Sequence, residues 1–94
     1  MVQKVNWSQE AFHDLERINS FISIGSKFHA FHVINKIIST AENIALFPYS
    51  GRVVTHYQNE KIRERIYHQF RIVYEIRNKN IFIVAIYHSA QNKP

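Results

Sequence analysis

Residues 62–88 carry three short β-type runs in close succession: Ile62-Arg63-Glu64-Arg65-Ile66, Phe70-Arg71-Ile72-Val73-Tyr74-Glu75-Ile76 and Ile81-Phe82-Ile83-Val84-Ala85-Ile86-Tyr87-His88. Each has the length of a strand, is rich in Ile, Val, Phe and Tyr, and is bounded by polar residues, so the segment reads as an antiparallel meander. Arg77-Asn78-Lys79-Asn80 suits a hairpin loop because Asn tolerates positive φ, whereas His68-Gln69 offers its turn neither Gly nor Asn and leaves the register there least defined. The last run is apolar on both faces, which predicts a central strand.

A sheet this apolar needs a covering layer, and residues 1–51 supply two helices. Residues 2–7 read as a first strand, and Ser8 as the N-cap of a helix whose Glu10 complements its dipole. Ala11, Leu15, Ile18 and Ile22 line one face of that helix, while Asp14, Glu16, Arg17 and Asn19 fall elsewhere. Gly25 is placed to end it as a left-handed C′ residue. Ser26 can cap a second helix, whose apolar stripe runs through Ala30, Val33, Ile34, Ile37, Ile38, Ala41, Ile44 and Ala45 until Pro48 stops it. Tyr49-Ser50-Gly51 then turns the chain into a short strand over residues 52–56. The expected fold class is α+β, with an N-terminal strand and a hairpin of two helices packed on a small antiparallel sheet, in one domain spanning residues 1–94.

Strand side chains alternate between faces. With Ile62 and Ile66 toward the helices, Arg63, Arg65 and Tyr67 stand on the open face, and Glu64 needs an edge position or an arginine partner. In the next run Phe70, Ile72, Tyr74 and Ile76 form the core face, the Tyr74 hydroxyl reaching a partner at the edge, while Arg71, Val73 and Glu75 point outward. The last run leaves either Phe82, Val84 and Ile86 or Ile81, Ile83 and Ala85 on the open face, an apolar patch that calls for a binding partner. On this reading Ile37 and Ile72 are core, and Arg71 can be replaced with little effect on stability.

The charge balance supports a partner of opposite sign. Residues 1–51 hold four basic and four acidic residues, whereas residues 52–94 hold eight basic and three acidic, so the whole formal charge of +5 sits on the β half. Such a surface attracts phosphate backbones or an acidic protein. Cysteine is absent, which excludes disulfides and thiolate metal sites. There is no signal-like segment, no run approaching the ~18 apolar residues of a membrane span, no Gly-rich phosphate loop and no nucleophile elbow. His29 and His32, three apart on a helix, lack a third metal ligand, and His13, His56 and His68 add no pattern to them. These features predict a cytoplasmic protein without cofactor, metal, membrane association or small-molecule substrate.

Arg71 is the leading site candidate, because a guanidinium matches phosphate oxygens and stabilises developing negative charge. Arg63 and Arg65 share that argument, and Arg52 adds to the basic face. Tyr87 and His88 end the last strand on opposite faces, and histidine can exchange protons near neutral pH, as RNA cleavage by a 2′-hydroxyl requires. The candidates for clamping phosphate, stabilising charge or transferring protons are therefore Arg71, His88, Arg63, Arg65 and Tyr87, and those for holding a partner are Arg52, Arg63, Arg65 and Arg71.

The order of landmarks along the chain resembles the RelE/ParE superfamily of toxins from bacterial type II toxin–antitoxin systems. The landmarks are Val5-Asn6-Trp7-Ser8, a helix with Ala11 and Leu15, a long helix ending in Phe47-Pro48, Ser50-Gly51-Arg52, Ile62-Arg63-Glu64, Phe70-Arg71-Ile72-Val73-Tyr74 and a last strand ending at His88. The resemblance implies growth inhibition, and neutralisation by an antitoxin whose disordered tail wraps the toxin. The target it implies is either ribosome-bound mRNA, cleaved by RelE-type endoribonucleases using an arginine of the Arg71 strand, or DNA gyrase, inhibited by ParE-type members. The pattern leans toward the ParE branch, although Gln91 stands where such sequences often carry arginine. A noncatalytic nucleic-acid- or protein-binding module on the same sheet is the alternative.

Overall fold

A computed structural model of the chain describes residues 4–88. The elements run β1 (Lys4–Trp7), α1 (Gln9–Gly25), α2 (Lys27–Leu46), β2 (Arg52–Val53), β3 (Ile62–Tyr67), β4 (Phe70–Arg77) and β5 (Asn80–His88), with 3₁₀ turns at Pro48–Ser50 and Thr55–Tyr57. The strands form one sheet in the order β1-β5-β4-β3-β2. β5 is an interior strand, flanked by β1 and β4, while the middle strand of the five is β4. The sheet is mixed, because β1 lies parallel to β5 while the other neighbours are antiparallel. Residues 2 and 3 of the expected first strand, and Gln91, lie outside the described residues.

Short polar residues set the helix boundaries. Ser8 caps α1 by accepting from Ala11 N at 2.9 Å, while its own hydroxyl donates to Val84 O at 2.9 Å and its amide to Ile83 O at 3.0 Å. One residue thus starts the helix and fastens it to β5. Ser26 ends α1, its amide donating to Ile22 O, and starts α2 by accepting from His29 N at 3.0 Å. Gly25 is the last residue of α1 and does not adopt positive φ, because Ser26 in extended conformation makes the break instead. The strand expected over residues 52–56 shrinks to Arg52–Val53, since the chain coils into the Thr55–Tyr57 turn.

Both helices cover one face of the sheet. Ala11, Val33, Ile37, Ala41 and Ile44 meet Ile72, Tyr74, Ile76, Ile81, Ile83 and Ile86 in a continuous core. The apolar helix stripe was thus read correctly at its centre, with Ile34 and Ile38 only half-buried at its margin. Asp14 is the exception to the polar face assigned to α1. It is 5% exposed, accepts the Ile86 amide at 2.9 Å and pairs with Arg17. β1 ends at Trp7 opposite Ile83, and the Asp14 carboxylate supplies the acceptor that β5 would otherwise lack beyond that point.

The β4–β5 register shifts by one residue between Val73 and Tyr74, so that Val73 faces Ala85 and Tyr74 faces Ile83, leaving Val84 as the extra residue of a bulge. Neither expected facing set for β5 survives. Ile81, Ile83 and Ile86 lie opposite the core residues Ile76, Tyr74 and Ile72, while Phe82, Ala85 and Tyr87 lie opposite the outward residues Glu75, Val73 and Arg71.

β4 faces as predicted, but β3 is inverted. Arg63, Arg65 and Tyr67 lie opposite Tyr74, Ile72 and Phe70 on the helix side, and Ile62, Glu64 and Ile66 lie opposite Glu75, Val73 and Arg71 on the open side. Tyr67 packs against the core, whereas Ile66 is 49% exposed. The two half-buried arginines place their guanidinium groups on polar atoms of the Pro48–Gly51 turn and of Asn43. The His68-Gln69 turn closes with Tyr67 opposite Phe70 and His68 at φ 52°, and Asn78 takes φ 54° in the next hairpin.

Tyr74, fully buried, locks the α2–β2 connection. Its hydroxyl donates to Pro48 O at 2.6 Å and accepts from Gly51 N at 3.1 Å. A Cβ on Gly51 would come within 2.6 Å of Glu64 O and of that hydroxyl, so only glycine fits there. Burial raises the Tyr74 pKa, against the opposing pull of its hydrogen bond to Gly51 and of the Arg63 and Arg65 charges.

Three outcomes follow in urea denaturation. Ile37→Ala and Ile72→Ala, at fully buried positions, each cost about 2–5 kcal/mol. Tyr74→Phe costs about 1–3 kcal/mol by leaving two buried polar groups unpaired. Because the folded-state pKa of Tyr74 is raised, its contribution is complete below the unfolded value of 10.0 and is lost as pH rises through the folded value. Tyr74→Phe therefore also flattens the loss of stability above pH 10.0.

Candidate functional site

The open face carries a charged cluster built from β2, β3, β4 and β5. Glu64, 6% exposed, accepts from Arg52 Nε at 2.6 Å and from Arg71 at 3.3 Å. The Arg71 guanidinium also lies 5.5 Å from the centroid of the Tyr87 ring, directly across the β4–β5 pair. Of the two environments left open for Glu64, a sheet edge or an arginine partner, the structure gives the second, on the face opposite to the one expected. Arg71 stands on the open face as expected, but its side chain is only 17% exposed and it pairs with Glu64, while Glu75 accepts from Arg77 at 2.9 Å. The Arg52 side chain, 72% exposed, is the accessible cation of the group. Burial raises the Tyr87 pKa, with smaller contributions from Tyr57, Glu10 and Asp14 and an opposing one from Arg71.

The other candidates lie on the opposite face. Arg63 donates to Gly51 O at 2.8 Å and Glu60 O at 2.9 Å and stacks 4.8 Å from the Tyr49 centroid. Arg65 donates to Ser50 Oγ at 2.8 Å and, with both terminal nitrogens, to Asn43 Oδ1 at 3.2 Å. These two arginines bind the Pro48–Gly51 turn to the end of α2. The β5 bulge turns His88 to the helix side, edge-on to Phe70 with centroids 5.4 Å apart. The structure therefore brings Arg52, Arg71 and Tyr87 together and keeps Arg63, Arg65 and His88 away from them.

Val73 and Ala85, at the middle of the open face, are 1% and 2% exposed beneath the longer side chains around them. The large exposed apolar side chains concentrate instead on the helical hairpin: Phe21, Ile24, Phe28 and Phe31 are 68–85% exposed. Phenylalanine beside polar residues at the α1–α2 junction was the available signal. A second feature missed in the sequence is a cleft of about 710 Å³ between the hairpin and the β3–β4 turn, lined in part by His29, His32, His68 and His88. Among the described residues, no group of three His, Cys, Asp or Glu side chains is placed to hold a metal ion, and no helix is long and apolar enough to cross a membrane.

The family model described as "ParE toxin of type II toxin-antitoxin system, parDE" matches residues 5–93. The chain belongs to the ParE toxin family. The fold is also that of a chain in a solved structure, "Chromosomal ParDE TA system from P. aeruginosa", at 16% identity with a TM-score of 0.76, covering 93% of this chain and 96% of that one. A search of curated proteins gave no match. Membership of the ParE branch agrees with the landmark order Pro48 to Arg52, Ile62 to Glu64 and Phe70 to Tyr74, all of which fall inside the matched segment.

The buried carboxylate makes the stability role of Arg71 measurable. Arg71→Ala, contrary to the expectation from the sequence, destabilises the fold by about 1–3 kcal/mol because Glu64 loses one of its two cations. In a double-mutant cycle with Glu64→Gln, the coupling energy measured by chemical denaturation is on the order of 0.5–3 kcal/mol.

Proposed function

We propose that the chain is a growth-arresting toxin that acts on DNA gyrase by binding, in the cytoplasm, and is held inactive by a cognate antitoxin. Membership of the ParE family supports the target class. The observation that favours binding over mRNA cleavage is the division of the candidate side chains between two faces. Cleavage by a 2′-hydroxyl needs a base, an acid and a cation within reach of one phosphate. Here His88 faces the helices while Arg71 and Tyr87 face away, and Arg63 and Arg65 are engaged with the Pro48–Gly51 turn.

For the antitoxin, the phenylalanine-rich hairpin supplies apolar area and the Arg52–Arg71 group a basic patch. A stable complex buries roughly 1,200 Å² or more, which favours an amphipathic segment that lays apolar side chains on Phe28 and Phe31 and carries acids that reach Arg52. Phe28 is 83% exposed and Phe31 68%, so Phe28→Asp is expected to leave the fold intact and weaken antitoxin capture by on the order of tenfold or more. A complex of unchanged affinity moves the interface off the hairpin.

The deciding experiment induces the chain in a bacterial host and follows DNA supercoiling and gyrase–DNA cleavage complexes beside the integrity of ribosome-bound mRNA. Altered supercoiling with intact mRNA is expected, and co-expression of the antitoxin restores growth. Cleavage of mRNA in the ribosomal A site without any change in DNA topology rejects the gyrase reading. In the same assay Arg71→Ala reduces toxicity, Arg71→Lys separates charge from planar geometry, and His88→Ala leaves toxicity unchanged.

A further inference from the structure

The cleft between the hairpin and the β3–β4 turn combines an apolar floor with an unusual density of imidazoles. Ile18, Ile22, Val33, Phe70 and Ile86 line its apolar part, and four of the six histidines of the chain, His29, His32, His68 and His88, line the remainder. They come from different elements. His29 and His32 lie on exposed positions of α2, His68 is in the turn with φ 52°, edge-on to Tyr67 at 4.4 Å, and His88 ends β5 against Phe70.

Among the described residues, the other charged groups lining the cleft are Asp14 and Arg17, both from α1. They pair with each other, and Asp14 also accepts the Ile86 amide. Among the described residues the Asp14 and Arg17 charges offset each other, and a protonated His29, His32 or His68 adds a positive charge for which the described lining holds no further acid. The histidines do not converge as metal ligands, so the chemistry they offer is cationic. A volume of about 710 Å³ lies within the range of sites for small organic ligands, whose usual construction is an apolar wall with a few convergent polar groups.

We infer that this cleft binds a small organic anion, an aromatic or short acyl group bearing a carboxylate, and that the cationic form of the imidazoles at His29, His32 and His68 holds that carboxylate. The apolar body of the ligand lies against Ile22, Val33 and Phe70, and its carboxylate meets the imidazole side of the cleft. This site is separate from the Arg52–Glu64–Arg71 group, which occupies the other face of the sheet. The inference is independent of the target proposed above, since it concerns the folded chain alone.

The test is a titration of the purified, folded chain with phenylacetate, whose carboxylate stays ionised between about pH 5.5 and pH 8, the interval over which imidazole charge changes. Binding is followed through the NMR resonances of the cleft side chains and of the Tyr67–Phe70 turn. Neutral phenylacetamide and the small anion acetate serve as controls for the two halves of the ligand. Phenylacetate is expected to shift the cleft resonances and to bind on the order of tenfold more tightly at the lower pH. In the triple variant His29→Gln, His32→Gln, His68→Asn, chosen because the helical positions are exposed and Asn tolerates the backbone of residue 68, that gain is lost while the amide spectrum remains that of the folded chain. Equal binding of phenylacetamide or of acetate overturns the inference, as does an absence of cleft shifts at both pH values or a pH dependence that is undiminished in the folded triple variant, which retains His88.

Discussion

The extra residue in β5 decides how the chemistry of this chain is distributed. Strict alternation from Ile81 and Ile83 would have put Ala85 and Tyr87 under the helices and Ile86 and His88 outside. The bulge at Val84 reverses that order beyond the break, so that Ile86 completes the core, Tyr87 meets Arg71 on the open face and His88 enters the cleft. A bulge disturbs the ladder and requires substitute partners. Ser8 provides one by donating to Val84 O, and Asp14 another by accepting from Ile86 N. The first two turns of α1 are thereby coupled to the strand whose break they stabilise, which explains a carboxylate buried in a helix face that periodicity alone makes polar.

A second consequence concerns the basic residues of the β half. The excess charge invites a reading in which all the arginines face a ligand, yet most are held by the protein itself. Arg63 and Arg65 bind backbone and side-chain oxygens around Gly51 and Asn43, Arg77 holds Glu75, and Arg71 shares Glu64 with Arg52. Only where a guanidinium is both paired and substantially exposed, as at Arg52, does the same group serve the fold and remain accessible to a partner.

The β4 strand was legible because Phe70, Ile72, Tyr74 and Ile76 recur at every second position, with Arg71 and Glu75 marking the other face despite Val73 between them, and the helix stripe because its period persists over five turns. β3 misled for a definable reason. Its two isoleucines are outnumbered on the other face by Arg63, Arg65 and Tyr67, whose long side chains carry more apolar surface than their polar ends suggest. Tyr67 is the residue that fixes the choice, since it joins the core through Phe70 at the closed end of the hairpin. The bulge had no local sequence marker, because Val84-Ala85 contains no glycine, and the buried role of Asp14 depends on a contact 72 residues away. The outward facing of Arg71 was legible, whereas its pairing with Glu64 was not, because that depends on the β3 register.

The separation of faces also bears on how a partner can act. The sheet face is stiffened by ion pairs across β2, β3 and β4, while the hairpin exposes large apolar side chains on regular helices that require no rearrangement to be covered. A partner that docks on the hairpin reaches the histidine-lined cleft through Phe21, which is 77% exposed and shared by both surfaces, but reaches the Arg52–Arg71 group only around the edge of the sheet. Phe21 thus belongs to both the cleft lining and the exposed hairpin surface, whereas Arg52, Glu64 and Arg71 do not line the cleft. Thermodynamic reciprocity then sets a condition: if a ligand of the cleft displaced Phe21, it would change the affinity of a hairpin partner by the same factor as that partner changed the affinity of the ligand.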